Sequence, residues 1–72
     1  MSYVDDVALE LAQLALADAE RTGEDKIVDQ IGELLGASSQ TLQESYLTFV
    51  RVRRAEARAR QILAARAAKP DA

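Results

Sequence analysis

Ile31-Gly32-Glu33-Leu34-Leu35-Gly36-Ala37-Ser38-Ser39-Gln40-Thr41-Leu42 is the hinge on which this chain's fold turns. Before it, apolar residues recur at helical spacing over a short run. After it, an arginine-rich run continues without a helix breaker until Lys69-Pro70. The stretch therefore reads as the end of one helix, a glycine-punctuated corner and the start of a second, much longer helix.

Upstream, Ile27, Val28, Ile31, Leu34 and Leu35 form a stripe that predicts a helix over about residues 24–35, with Asp25, Asp29, Gln30 and Glu33 outward. Gly36 is read as its stop in the left-handed region, with Ser38 or Ser39 capping the next helix. Further upstream, a helix over about residues 3–21 begins behind Ser2, with Asp5 and Asp6 favourable in its first turn, and ends at Thr22-Gly23. Val4, Val7, Leu11 and Leu14 mark one line on it, Leu9 and Leu16 another, and Ala8, Ala12, Ala15 and Ala19 fill the angle between them. This apolar arc exceeds that of an ordinary surface helix, so contact with neighbours on two sides is expected. Downstream, the third helix is predicted over about residues 39–68, stopping before the residue that precedes proline.

The long helix changes face partway. Leu42, Tyr46, Phe49 and Val50 form one stripe near its start. Val52, Ala55, Ala59, Ile62 and Leu63 form another, rotated by more than a quarter turn. The first two helices suffice to cover the first stripe, and nothing in the chain remains for the second. Val52, Ala55, Ala59, Ile62 and Leu63 are therefore the expected oligomer interface, in a homodimer or higher homo-oligomer. The fold class is all-α: three helices in one domain, residues 1–68, with 69–72 as a disordered tail.

Composition agrees with that reading. The 72 residues contain no cysteine and no histidine, with one proline and three glycines. A chain this short is near the lower limit for an independent core and commonly leans on disulfides, a metal or a partner subunit. Composition removes disulfides and the two commonest soft metal ligands, which leaves the partner. No cofactor is expected. Without imidazole or thiol there is no base or nucleophile of the usual kinds, and Gly23, Gly32 and Gly36 do not form a phosphate loop. The chain is read as a binding protein, not an enzyme. No run of about 18 apolar residues exists and Met1-Ser2-Tyr3-Val4-Asp5-Asp6 lacks a basic leader, so no membrane contact and a cytoplasmic location are expected.

Charge is divided along the chain. Residues 1–50 carry ten acids and two bases, net −8, whereas residues 51–72 carry seven bases and two acids, net +5. Arg51, Arg54 and Arg58 are three and four apart and share one face of the third helix. Two readings stay open. In one the arginines track phosphate; in the other they pair with Asp5, Asp6, Glu10 and Asp18 of the acidic first helix, within a subunit or across a dimer.

The segment Val28 to Leu47 resembles the helix-turn-helix of bacterial and phage DNA-binding proteins. The likeness is carried by Ile31-Gly32-Glu33-Leu34-Leu35-Gly36-Ala37-Ser38 and Thr41-Leu42. It implies that Gly36 supplies a positive φ, that Ile31, Leu35 and Leu42 wedge the two helices, and that Ser38, Ser39, Gln40, Gln43 and Glu44 lie at the groove face. Together with Arg51, Arg54 and Arg58 these are the candidate contacts to duplex DNA, in a small transcriptional regulator or a packaging subunit. The small terminase subunit of phages is similar in architecture, combining such a motif with long oligomerising helices. Two features differ from the family pattern: the reading helix offers no arginine or lysine before Arg51, and the preceding helix carries Asp25, Asp29 and Glu33 where phosphate would approach. The alternative is a protein-interaction module, an adaptor or anti-regulator, whose apolar helix face binds a partner protein.

Overall fold

A computed structural model describes residues 2–69. The expected end of the tail, residues 70–72, lies outside them. The described residues form three α-helices: α1 Tyr3–Thr22, α2 Lys26–Ser38 and α3 Gln40–Ala68.

Each boundary has a local cause. Ser2 is extended, and its hydroxyl accepts a hydrogen bond from the Asp5 N–H at 3.2 Å. That bond satisfies one of the free N–H groups that every helix start exposes. α1 ends at Gly23, whose φ of 76° lets its N–H return to the Ala19 carbonyl at 2.8 Å. A side chain resists that left-handed conformation and glycine does not. Thr22 continues the turn by accepting the Glu24 N–H on its hydroxyl, so α2 starts at Lys26, two residues later than the spacing predicts.

The end of α2 corrects the sequence reading more substantially. Gly36 does not stop the helix: α2 runs through it to Ser38, and Gly23 is the one described residue with positive φ. The corner is a single extended residue, Ser39, with φ −155° and ψ 102°. Its N–H donates to the Leu35 carbonyl at 2.7 Å and its hydroxyl accepts from the Leu42 N–H at 3.2 Å. One serine thus closes α2 and opens α3. A glycine inside a helix costs roughly 0.5–1 kcal/mol. What offsets that cost is proximity: a Cβ at Gly36 would overlap the Gln43 amide, which donates instead to the Gly32 carbonyl at 2.9 Å.

The helices run up, down and up. Ser45 of α3 donates to the Asp5 carboxylate at 2.9 Å near the start of α1, and Leu16, Ala17 and Glu20 of α1 share a cleft with Arg53, Arg54 and Ala57. α1 and α3 are therefore parallel, with α2 antiparallel to both. The core comprises Ala8, Ala12, Ala15 and Ala19 of α1, Val28 and Leu35 of α2, and Tyr46 and Val50 of α3. The alanines permit a close approach, and both α2 and α3 contact α1, as its wide apolar arc predicts. Tyr46 is fully buried and donates its hydroxyl to the Val28 carbonyl at 2.8 Å, so no buried side-chain polar atom among the described residues lacks a partner. Phe49 and Leu42 pack at the edge of this core.

From Arg51 onward α3 leaves the core. Except for Glu56, which is partly covered, residues 51–69 are exposed. At about 1.5 Å per residue, α3 is a rod roughly 43 Å long, and most of its second half has nothing beside it. The Cα atoms accordingly spread over 54 × 29 × 13 Å.

Candidate functional site

Among the described residues two contiguous apolar surfaces are left open, apart from the isolated Tyr3, and both arise from the way α3 is laid against the other helices. On the first, Val52, Ile62 and Leu63 are 54%, 62% and 66% exposed, and Ala55 and Ala59 between them are exposed as well. Ala59 lies nine residues beyond Val50, about half a turn round the cylinder at 3.6 residues per turn. The strip thus faces away from α1 and α2. Upstream on that side stand Thr41, Ser45 and Thr48, so the face turns apolar only from Val52. The side of α3 that faces α1 does the reverse: after Val50 it continues through Arg53 and Ala57.

The second surface is a groove between α1 and α2, lined by Leu11, Leu14, Ala15, Asp18, Ile27 and Ile31. Leu14 is 59% exposed, and Leu34, on the same line of α2 as Ile27 and Ile31, is 65% exposed. The stripe of α2 was expected to bury Leu34. Tyr46 and Leu47 of α3 fill the Gly32 side of α2 instead, and Leu34 is left on the far side. Sequence reasoning missed this groove as a surface. The available signal was the breadth of the apolar arc on α1, more than two small neighbours can cover.

The helix-turn-helix contacts are placed differently from the pattern. Ser38 is the last residue of α2, not the first of a reading helix, and Ser39 is the corner itself. Gln40 is exposed. Gln43 is half-buried and committed to the Gly32 carbonyl, which removes it from an outer face. Glu44 lines a shallow cleft with Asp5, Thr41, Ser45, Thr48 and Phe49, beside an acid and not a base.

Arg51, Arg54 and Arg58 are exposed on one side of α3. They begin eleven residues past Gln40, about 17 Å along the axis at the helical rise. Within one chain, and among the described residues, the arginines of α3 form no ion pair with the acids of α1. Asp18 pairs with Arg21 at 2.6 Å within α1, and Asp5 accepts from Ser45. Glu56 takes Arg60 at 2.8 Å and Arg53 at 3.7 Å within α3. Such short-range pairs form along one helix because residues three and four apart are neighbours there. Among the described residues, Arg51, Arg54, Arg58 and Arg66 form no ion pair.

Among the described residues, Tyr46 is the one titratable group clearly displaced: burial raises its pKa above 10.0, Arg54 opposes the rise and Asp29 adds to it. Its hydroxyl is engaged with backbone inside the core, which makes it a structural tyrosine. Among the described residues, no group of acids is placed to hold a metal ion, and no helix is long and apolar enough to cross a membrane.

No family model, curated protein or solved structure matches this chain.

Proposed function

We propose that this chain is a non-enzymatic, self-associating helical protein, and that the distal half of α3 is its docking element. The observation that carries this is the strip Val52, Ala55, Ala59, Ile62 and Leu63: apolar, contiguous, and turned away from every helix of its own chain. Isolated apolar residues on a surface are ordinary, but a contiguous strip on a projecting helix fits a binding face. Fully burying one such side chain is worth roughly 1.5–3 kcal/mol, so covering Val52, Ile62 and Leu63 contributes a favourable term against the entropic cost of joining two chains.

Light scattering of the full chain tests this, comparing wild type with the double variant Ile62→Glu, Leu63→Glu. Wild type is expected to exceed the 7.8 kDa of one chain, increasingly with concentration. The variant is expected to remain at one chain with its helical content intact. Wild type at single-chain mass up to millimolar concentration overturns the proposal.

A second reading, binding of duplex DNA, is favoured by one observation: Arg51, Arg54 and Arg58 are exposed on one side of α3 without ion-pair partners among the described residues. A gel shift with random duplex DNA decides it. On this reading, binding weakens with salt, and replacing the three arginines by alanine flattens the log–log salt dependence by about three units of slope. Absence of binding at low salt removes it. The polar groups of the start of α3 contribute less than the family pattern implies, because Gln43 is already engaged.

A further inference from the structure

The strip on α3 and the groove between α1 and α2 are the two uncovered apolar surfaces, and they carry opposite charge. Residues 3–38, which hold the groove, contain nine acids and two bases, net −7. Residues 51–68, which hold the strip, contain six arginines and one acid, net +5. Arg51 and Arg58, seven apart, run along one edge of the strip. Asp18 lines the groove, already holding Arg21 at 2.6 Å, and Glu10 stands two turns before it on α1 with no ion pair among the described residues. Leu11 to Asp18 on α1 and Ile27 to Leu34 on α2 each cover about 10 Å, against about 17 Å for Val52 to Leu63, so the groove takes part of the strip.

We infer that the strip of one copy docks in the α1–α2 groove of a second copy, head to tail, with the basic edge of α3 against the acidic helices. This rests on the self-association proposed above and names the surface that receives the strip. The chain cannot satisfy itself in this way, because α3 is one uninterrupted helix whose strip faces away from its own α1 and α2. Pairing two identical strips is less favourable. It sets two +5 segments together, and their single acid, Glu56, is already held by Arg60 and Arg53. It also places Arg66 in the seam, since the spacing 52, 55, 59, 62 continues to 66. Because strip and groove are different surfaces, each copy offers one of each, and the contact propagates into a ring or an open array.

Complementation between two full-length variants tests this. The strip variant carries Ile62→Glu and Leu63→Glu; the groove variant carries Leu14→Glu and Leu34→Glu. All four positions are more than half exposed, so neither variant removes a core residue, and circular dichroism checks that helicity is unchanged. Each variant alone is expected at the mass of one chain. An equimolar mixture is expected to form a dimer and to stop there, because only the intact strip of the groove variant and the intact groove of the strip variant remain to meet. A mixture that stays at one chain overturns the inference. So does a groove variant that self-associates as wild type does; in that case the strip pairs elsewhere and the proposed self-association stands. Wild type that is itself a single chain at every concentration removes both.

Discussion

Replacing Gly36 by alanine distinguishes a continuous α2 from a helix broken at that position. In the continuous helix, alanine removes the backbone freedom of glycine and gains roughly 0.5–1 kcal/mol. The new Cβ overlaps the Gln43 amide, and the flexible end of that side chain must swing away and give up its bond to the Gly32 carbonyl. A hydrogen bond between neutral groups contributes about 0.5–1.5 kcal/mol net. The two effects nearly cancel, so Gly36→Ala alone should leave stability within about 1 kcal/mol of wild type. In a Gln43→Ala background nothing opposes the gain. There the same substitution should stabilise by about 1 kcal/mol, raising Tm by roughly 4–8 °C for a domain of this size. Gly23→Ala is the contrasting control: at φ 76° a Cβ meets backbone strain, and a loss of about 1–2 kcal/mol is expected. Urea unfolding monitored by circular dichroism measures all of these, at one fixed protein concentration because association shifts apparent stability. If Gly36→Ala costs 1 kcal/mol or more in the Gln43→Ala background, α2 ends at Gly36 with positive φ and the single-residue corner is wrong.

Tyr46→Phe leaves the ring in place but removes the hydroxyl that donates to the Val28 carbonyl, and should cost about 1 kcal/mol in the same assay. The raised pKa of Tyr46 has a defined sign: the folded state favours the neutral phenol, so its contribution is complete below pH 10.0 and is lost as pH rises beyond it. Wild type should therefore lose stability above that pH more steeply than Tyr46→Phe; equal slopes would contradict burial as the main cause. Ser39→Ala, removing the cap on the Leu42 N–H at the only residue between two helices, should cost about 1 kcal/mol, whereas Ser38→Ala should change little.

Much of the architecture was legible because it depends on local periodicity. The alanine line on α1, the Ser2 cap and the left-handed Gly23 arise from the nature and spacing of nearby residues, and the structure bears them out; of the two serines open as caps for α3, it takes Ser39. Gly36 was not legible in the same way. A glycine ahead of serines is compatible with a helix stop, and what holds it helical is Gln43, seven residues on and on another helix. The ion pairs within α3 were not legible for a related reason: bulk charge balance between α1 and α3 is visible in composition, but the acid that Arg60 meets is one turn away at Glu56.

By itself the sequence determined that the chain is helical, where α1 is capped, and that α3 carries an apolar strip its own helices do not need. Those properties come from backbone conformational preference and from the 3.6-residue repeat, which act over a few neighbours. Only the tertiary structure decided which side of each helix faces which neighbour. Once Tyr46 is sunk between α1 and α2 with its hydroxyl on Val28, the rotation of α3 is settled. That rotation sends Ile62 and Leu63 outward, leaves the groove at Leu14 and Leu34 open, and leaves Arg51, Arg54 and Arg58 without an ion pair among the described residues.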